Sequence, residues 1–398
     1  MYNYKNETTS KKVIVVDDMI LTTDMPTTAG SKMLDGFMSL IESEALKKLK
    51  EAGYEIGGKA SVGEFAFDLL GESAYNGAIV NDGKLENASA KIIKNGDAIG
   101  AMCLDVNGYV RRASAQADLV CVKPTYGTVS RYGTIPVACS GETVSVMAND
   151  VETCRDMLDV IAGHDDKDGT SLSNELCENL KKTASFEKVK KVALLTSMLD
   201  GIDGDVKAKI ESAVEILKGH GVEVVEIKND IIPLSNTAWN VLMSAELCNN
   251  VSRYDGVKYG YRSQNFLGLD ELYTKSRTEA FGELLKTTII FGSETLSTEN
   301  YFKVYDKCLR TRRVIVEEFN KIFNKYDAVI IPAVSTLSYQ ESKVKEDKYL
   351  CFSENYYTAP SSISGLPAVV AGGVQLVGKA FSELKLLDLA SVIEKEGK

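Results

Sequence analysis

The stretch Val122–Gly133, VKPTYGTVSRYG, is the most specific segment of this 398-residue chain. It combines a lysine, an arginine, two tyrosines and two glycines within a short distance. Polar and aromatic side chains on a connection between regular elements are typical of binding and catalytic sites. We therefore expect this stretch to form the wall of a functional site.

Apolar runs and helical patterns alternate on both sides of that stretch. Val13–Val16 is a β-branched run that predicts a buried strand, and this strand ends at Asp17. Asp150 is expected to cap a helix that ends before Gly163. The other predicted elements are a helix at 40–52 ended by Gly53, a strand near 192, a helix at 205–218, and strands at 222–227, 327–332 and 367–378.

This alternation of strands and helices predicts an α/β fold, with a mixed, mostly parallel sheet covered by helices on both faces. The chain is long enough for one large domain or two ordinary ones. Lys181–Lys191 is rich in lysine and could be a linker, but hydrophobic elements resume on both sides of it. We therefore expect residues 1–12 to be a polar N-terminal lead and residues 13–398 to form a single domain.

Composition limits the classes of function. The net charge of −10 argues against a nucleic-acid surface, because phosphate binding needs clustered Lys and Arg. The N-terminus MYNYKNETTSKK lacks the apolar segment of a secretion signal, and no apolar run reaches the roughly 20 residues that span a bilayer. We expect a cytoplasmic protein with no membrane association.

Common catalytic and cofactor motifs are missing from the sequence. The only histidines, His164 and His220, lie in polar turn or helix-end settings, which are poor places for a Ser-His-Asp triad. The eight cysteines are scattered singly, which favours reduced core thiols over a zinc site. The chain also lacks a P-loop and the glycine-rich turn of a dinucleotide site, so we expect no cofactor.

Several longer motifs, spread from Val13 to about Leu389, point to a known family. They are KPTYGTVSRYG at 123–133, IAGHDDKDGTS at 161–171, RYDGVKYGYRS at 253–263, SRTEAFG at 276–282, GLPAVV with GVQLVGKAF at 365–381, TTAGSKML at 27–34, LKEAG at 49–53 and EFAF at 64–67. In these motifs the chain resembles the amidase-signature family, and within it the A-type (glutaminase/amidase) subunits of the glutamyl-tRNA(Gln)/aspartyl-tRNA(Asn) amidotransferases. The resemblance implies the amidase-signature fold.

The resemblance also implies a Ser-cis-Ser-Lys relay, in which a neutral lysine and a bridging serine activate a nucleophilic serine. The lysine motif IKDNI is matched here by VDDMI, which puts Asp17 at the lysine position. The loop GGSSGGSA falls on GKLENASA, with Leu85 at the bridging position. The nucleophile motif GGSIRQPA falls on NGYVRRAS, so Tyr109 takes the place of the serine.

All three members of the relay are therefore replaced, although the oxyanion-loop equivalents Asn107 and Gly108 and the family's arginine, Arg111, are present. A phenol with a pKa near 10 is a poor nucleophile without an adjacent base. Loss of one relay residue typically leaves only about 10³- to 10⁴-fold catalysis over water. We expect no amidase turnover.

The glutamine pocket that the resemblance implies is only partly retained. Arg312 matches the arginine that holds the glutamine carboxylate, and Tyr301 falls near a tyrosine of that pocket. Asn355 falls where the A-type subunits have an aspartate for the amino group, so a charge is lost. The alternative for Arg312 is a helix-face arginine paired with Glu318 or a neighbour.

Three functions remain open. In the first, the chain is a catalytically inactive homologue that binds glutamine or a small amide, has a regulatory role, or joins a complex. The partners that the resemblance implies are homologues of the tRNA-handling (B-type) and the small (C-type) subunits of the amidotransferase. The second is an active amidase or amidotransferase component that uses a reassigned nucleophile, with Ser89, Ser114 and Cys103 as candidates. The third is a structural remnant without a ligand.

Overall fold

The fold was analysed in a computed structural model that describes residues 1–180 and 188–397. The first seven residues of the Lys-rich segment 181–191 lie outside the described residues. The strands are β1 (Tyr2–Lys5), β2 (Val13–Asp17), β3 (Glu55–Ala60), β4 (Ile79–Asn81), β5 (Lys84–Glu86), β6 (Gly100–Asp105), β7 (Val120–Lys123), β8 (Thr143–Ala148), β9 (Lys191–Leu195), β10 (Glu223–Ile227), β11 (Ala328–Pro332), β12 (Ala368–Ala371) and β13 (Val374–Gly378).

The helices are α1 (Glu44–Glu51), α2 (Ala88–Lys94), α3 (Tyr109–Ala117), α4 (Val151–Ile161), α5 (Asn174–Cys177), α6 (Gly204–Gly219), α7 (Ser235–Val251), α8 (Leu269–Ala280), α9 (Glu283–Thr295), α10 (Asp306–Phe323), α11 (Glu341–Glu346), α12 (Leu350–Ser364) and α13 (Glu383–Glu396). A π-helical turn, Tyr301–Tyr305, leads into α10. In the part of the chain that the structure describes, no helix is long and apolar enough to cross a membrane.

One large mixed sheet forms the centre of the molecule, with the strand order β1-β3-β2-β6-β8-β7-β12-β13-β11-β9-β10. Parallel pairs lie towards its two ends, where β2 pairs with β3 and β6, and β9 pairs with β10 and β11. The strands between them, from β6 to β11, pair antiparallel. A separate hairpin, β4–β5, lies outside this sheet.

Helices cover both faces of the sheet. On one face α1, α4, α13 and α6 contact each other in succession, and α4 and α13 pack on β7, β8, β12 and β13. On the other face α2 and α3 pack on β2, β6 and β7, next to a layer in which α7 contacts α9, α10 and α12. The predicted α/β amidase-signature class, with helices on both faces of a mixed sheet, is confirmed.

Most predicted elements occur where the sequence placed them. Asp150 caps α4 as predicted, because its carboxylate accepts the amide of Thr153 at 2.7 Å. The helix predicted at 40–52 begins only at Glu44, after Ser43, and Leu40 is 97% exposed. Gly372 and Gly373 both have positive φ and form the tight turn between β12 and β13.

The N-terminal residues contain an element that the sequence did not predict. Tyr2–Lys5 forms β1, the edge strand that pairs antiparallel with β3. The same segment is tied to the domain by Asn3, whose side-chain amide donates to Asp18 at 2.7 Å. The division into a lead at 1–12 and a domain at 13–398 stays a prediction.

Candidate active site

Two of the positions that the resemblance assigns to the relay, Asp17 and Tyr109, lie where the parallel strands β2 and β6 end. Asp17 is the last residue of β2, and Tyr109 is the first residue of α3, which follows β6 by three residues. Side chains that follow the carboxyl ends of parallel strands meet at one edge of a sheet, where α/β proteins commonly bind ligands. Asp17, Leu85 and Tyr109 are all buried, with exposed fractions of 0%, 2% and 2%.

Asp17 forms a polar cluster with two of the candidate nucleophiles. Its Oδ1 accepts the Ser89 hydroxyl at 2.8 Å, and the Cys103 thiol lies beside the same carboxyl. Burial raises the pKa of Asp17 to about 7, although hydrogen bonds from Ser89 and Cys103 favour the charged form. At the position that the resemblance assigns to the lysine, the chain therefore has a carboxyl that accepts protons near neutral pH.

Cys103 and Ser114 are held in unreactive states. Burial, followed by the nearby Asp17, raises the pKa of the Cys103 thiol well above its usual value, which disfavours the nucleophilic thiolate. Ser114 is fully buried, and its hydroxyl donates to the carbonyl of Val110 one helical turn earlier. Ser89 and Cys103 both lie beside Asp17 as a potential base, but the raised pKa of the Cys103 thiol leaves Ser89 as the remaining candidate nucleophile.

Leu85 is fixed in strand β5 of the small hairpin. Its amide donates to the carbonyl of Tyr339 at 2.9 Å, and its carbonyl accepts the side-chain amide of Gln116 at 2.7 Å. The neighbouring amide of Glu341 donates to Gly83 at 2.8 Å. The position that the resemblance assigns to a bridging serine is thus an apolar side chain in a paired strand.

Tyr109 fills buried space and lacks an activating group. Its hydroxyl has no hydrogen-bond partner among residues 1–180 and 188–397. A nucleophilic phenol needs an adjacent base, and the described part of the chain places none within hydrogen-bond distance. Gly108 precedes the ring at φ +86°, and a Cβ there would lie 2.2 Å from Thr358 Oγ1.

The two oxyanion-loop equivalents are engaged in internal hydrogen bonds. The amide of Gly108 donates to Asp105 Oδ1 at 2.7 Å. The Asn107 side chain donates to the carbonyl of Phe67 at 2.7 Å and accepts the indole N–H of Trp239 at 2.8 Å. These donors are used by the protein itself in the structure, so they do not form an open anion site.

Arg111 is the central polar side chain under the site. It is fully buried and forms an ion pair with Asp105 at 2.7 Å. Its remaining N–H groups bind acceptors on α12 and β13. These acceptors are the Thr358 carbonyl at 2.8 Å, the Ser361 hydroxyl at 2.7 Å, the Ser362 hydroxyl at 2.7 Å and the Gln375 side-chain oxygen at 3.1 Å.

Arg112 is a site residue that was not predicted from the sequence. It is fully buried and donates to the carbonyls of Asp68, Leu69 and Asn107 at 2.9 to 3.1 Å. It also donates to Asn355 Oδ1 at 3.3 Å. One feature of the sequence could have pointed to Arg112. The family motif has glutamine after its arginine, whereas this chain has a second arginine, Arg112, after Arg111.

Both the oxygen and the nitrogen of the Asn355 side-chain amide form hydrogen bonds within the protein. Its oxygen accepts Arg112, and its nitrogen donates to Asn240 Oδ1 at 2.6 Å. The side chain is fully buried. The residue predicted to face the amino group of glutamine therefore links α3 to α7 and α12 instead.

Arg312 lies in α10, and Tyr301 lies in the π-helical turn that leads into it. Arg312 donates to the carbonyl of Ser140 at 2.8 Å, whereas Glu318, its alternative partner, binds Lys321 and Asn229. Tyr301 is 38% exposed and contacts the ring of Tyr305. In the described residues no hydrogen bond connects Arg312 or Tyr301 to Asn355.

The stretch Val122–Gly133, which the sequence predicts to be the wall of a site, contacts the segment that binds Arg312. It leaves β7 at Lys123, and the hydroxyl of Tyr126 donates to the carbonyl of Cys139 at 2.5 Å. The next residue, Ser140, binds Arg312 through its carbonyl. After it, Gly141 packs so closely on Trp239 that a Cβ would lie 2.3 Å from the indole ring. The wall is therefore connected through Trp239 to Asn107.

The mixed sheet, the polar residues after β2 and β6, and the wall after β7 together define an amidase-type α/β fold. The amidase family model matches residues 13–387, and the chain belongs to this family.

Curated relatives narrow the similarity to one kind of amidase. The chain is 32% identical to the A-type subunit of the glutamyl-tRNA(Gln) amidotransferase of Lachnoclostridium phytofermentans, over 96% of this chain and 82% of the relative. It is 33% identical to the same subunit of Coxiella burnetii, over 98% of this chain and 85% of the relative. The crystal structure of this subunit from Thermotoga maritima superimposes with a TM-score of 0.81 at 26% identity, covering 99% of this chain and 87% of that one.

Proposed function

We propose that this chain is a catalytically inactive homologue of the A-type amidotransferase subunits and that it acts as a binding or complex-forming protein. The observation that carries the proposal is the burial of the relay-equivalent positions without a working relay. Leu85 has no proton to transfer, and the Tyr109 hydroxyl lacks a hydrogen-bond partner in the described part of the chain.

The internal hydrogen bonds around the site support the same proposal. Arg112, Asn107 and Trp239 fill the region between α3, α7 and α12 with mutually satisfied polar groups. A substrate amide would have to displace these bonds, and buried polar groups that lose their partners cost about 1–3 kcal/mol each. Glutamine as a ligand stays a prediction, since Arg312 and Asn355 serve other contacts.

One observation favours the alternative of a reassigned nucleophile. Ser89 lies 2.8 Å from Asp17, and the pKa of that carboxyl, about 7, suits a general base at neutral pH. Against it, Ser89 is only 1% exposed and lies in the first turn of α2, so a substrate carbonyl has no access to its hydroxyl in this structure.

An amide-hydrolysis assay tests the proposal. We expect the purified chain to release no ammonia from glutamine or asparagine, and no chromophore from an aryl amide, above the background of the buffer. The physical reason is the absence of an activated nucleophile at Tyr109 or Leu85. Turnover by the wild type that disappears in Ser89→Ala would support Ser89 as the reassigned nucleophile, and turnover that survives in Ser89→Ala would contradict inactivity and point to another nucleophile.

Complex formation is the second part of the proposal. The curated relatives are named as one component of an amidotransferase, which supports homologues of its B-type and C-type subunits as partners. We expect the chain to co-elute with such homologues in size-exclusion chromatography after co-expression. Elution as a lone monomer at micromolar concentration, with both homologues present and folded, would count against a complex-forming role.

A further inference from the structure

A cavity of about 400 Å³ lies beside the hairpin that carries Leu85. The start of α9 and the segment from α11 to Tyr349 form its other sides. The apolar part of the wall consists of Ala78, Leu85, Leu284, Val344 and Tyr349. Binding sites for small organic molecules are concave, largely apolar, and about 300–1,000 Å³ in volume, so this cavity has a suitable size and surface.

Charged residues at the cavity carry a net negative charge. Two glutamates at the rim are neutralised by lysines, since Lys345 binds Glu341 at 2.7 Å and Lys348 binds Glu283 at 2.6 Å. The other two glutamates of the lining, Glu64 and Glu72, form no ion pair with a lysine or arginine among the described residues.

Glu64 and Glu72 are held in place by uncharged donors. Glu64 is 2% exposed and accepts the Ser31 hydroxyl at 2.6 Å and the Gly282 amide at 2.8 Å. Glu72 accepts the amides of Leu69 and Leu70 at 2.9 Å. These bonds fix the direction of both carboxylates without neutralising them.

A second cavity that also borders this hairpin differs from the first in its charged residues. It measures about 450 Å³, and Leu85 also contributes to its wall. Its lining contains Lys84, Lys91 and Lys94, and a single glutamate, Glu86, pairs with Lys91. The two cavities share a wall but carry charge of opposite sign, so a charged ligand can distinguish them.

We propose that the first cavity binds a small organic cation, namely a primary ammonium group attached to an apolar body such as an arylalkyl chain. The ammonium group is placed against Glu64 and Glu72, and the apolar body against Leu85, Leu284 and Tyr349. This site goes beyond the proposed function, because it does not depend on whether the chain hydrolyses amides.

The environment of Glu64 is consistent with a cationic partner. Burial raises the pKa of Glu64 to about 7, and the hydrogen bonds from Ser31 and Gly282 and the charge of Lys286 lower it only in part. A bound ammonium group favours the ionised carboxylate and thereby relieves the cost of burying it.

Calorimetry with three matched probes tests the site. At pH 8 we expect phenethylammonium chloride to give a saturable heat of binding with the full chain. The neutral 2-phenylethanol and the anionic 3-phenylpropionate share its apolar body but lack its charge, and we expect at least roughly tenfold weaker binding for both. No saturable heat with phenethylammonium, or equal affinity for the ammonium and the alcohol, would overturn the proposal.

Replacing either of two alanines by tryptophan shows which cavity binds the cation. Ala78 lines the first cavity and is exposed, so Ala78→Trp should fill the cavity and abolish binding without disturbing the core. Ala117 lines the second cavity and not the first, and Ala117→Trp is the control that should leave the affinity unchanged. Retained binding in Ala78→Trp would show that the cation binds elsewhere and would overturn the assignment.

Carboxylate variants test the position of the ammonium group. Glu64→Gln keeps the shape and one acceptor but removes the charge, and we expect about tenfold weaker binding of phenethylammonium. Glu72→Gln gives a second measurement if Glu64→Gln fails to fold. Unchanged affinity in a folded carboxylate variant of each residue would overturn the proposed ammonium position.

Discussion

Replacing Arg111 by methionine is expected to lower the free energy of unfolding by about 3–5 kcal/mol. The guanidinium is fully buried and binds Asp105 together with acceptors on α12 and β13. Its removal leaves the Asp105 carboxylate buried without its cation, and leaves the hydroxyls of Ser361 and Ser362 without their donor. An uncompensated buried charge is among the most destabilising changes known in proteins.

Urea denaturation followed by fluorescence measures this loss. Trp239 is the only tryptophan and is 1% exposed, so its emission reports on the helical layer that contacts Asn107. Arg313→Met is the matched control, because the Arg313 side chain is 84% exposed and forms an ion pair with Glu317 on the same helix. We expect the control to change stability by less than about 0.5 kcal/mol. A similar small change in Arg111→Met would contradict the structural role of the buried pair.

Asp17→Asn is expected to stabilise the chain at pH 8 and to leave it nearly unchanged at pH 4. The pKa of Asp17 is raised from 3.8 to about 7 in the folded protein because the carboxyl is buried. Between about pH 4 and pH 7 the folded state therefore holds a proton that the unfolded state has lost, so stability falls as the pH rises through this window. This difference in pKa lowers the free energy of unfolding at high pH by roughly 4 kcal/mol at most. Asparagine does not ionise, so the variant avoids this loss, and its side-chain oxygen still accepts the Ser89 hydroxyl.

The difference in the free energy of unfolding between the wild type and Asp17→Asn isolates the contribution of the Asp17 carboxyl. Other buried acids, such as Glu64 and Asp68, also have raised pKa values and contribute to the pH dependence of both proteins equally. Asp230→Asn serves as the control, since the Asp230 side chain is 80% exposed. We expect the free energy of unfolding of Asp230→Asn to equal that of the wild type at every pH of the experiment. A parallel course of the wild-type and Asp17→Asn curves would show that Asp17 ionises normally.

Much of the fold follows from local sequence patterns. The buried strand at Val13–Asp17 and the strand pair around Gly372-Gly373 are apolar runs with clear ends, and the α4 cap at Asp150 is a local interaction. Tyr2–Lys5 escaped prediction because an edge strand is only half buried and lacks an apolar run. Helix α1 begins later than its periodicity suggested, because the apolar residues before Ser43 are exposed.

The site was harder to predict because its contacts join distant parts of the chain. The apolar run at 13–16 placed Asp17 at the end of a strand, and the family motif assigned Tyr109 to the serine position, but the sequence did not predict that Tyr109 begins a helix. The hydrogen bond between Ser89 and Asp17, however, spans 72 residues, and the one between Arg112 and Asn355 spans 243. Burial of an arginine such as Arg112 depends on carbonyl groups from distant segments, and no single segment of the sequence reveals them.

The pairing of hairpin β4–β5 with residues 339–341 has a consequence for the evolution of this chain. The position that the resemblance assigns to the bridging serine lies in a backbone-bonded strand, where Leu85 and Glu341 fix the register. A Leu85→Ser substitution would leave the hydroxyl in that strand and open a void in the shared wall of two cavities. On the proposal that this chain is an inactive homologue, a serine relay would therefore require the hairpin to be rebuilt as a loop, a step that single substitutions at Asp17, Leu85 and Tyr109 do not provide.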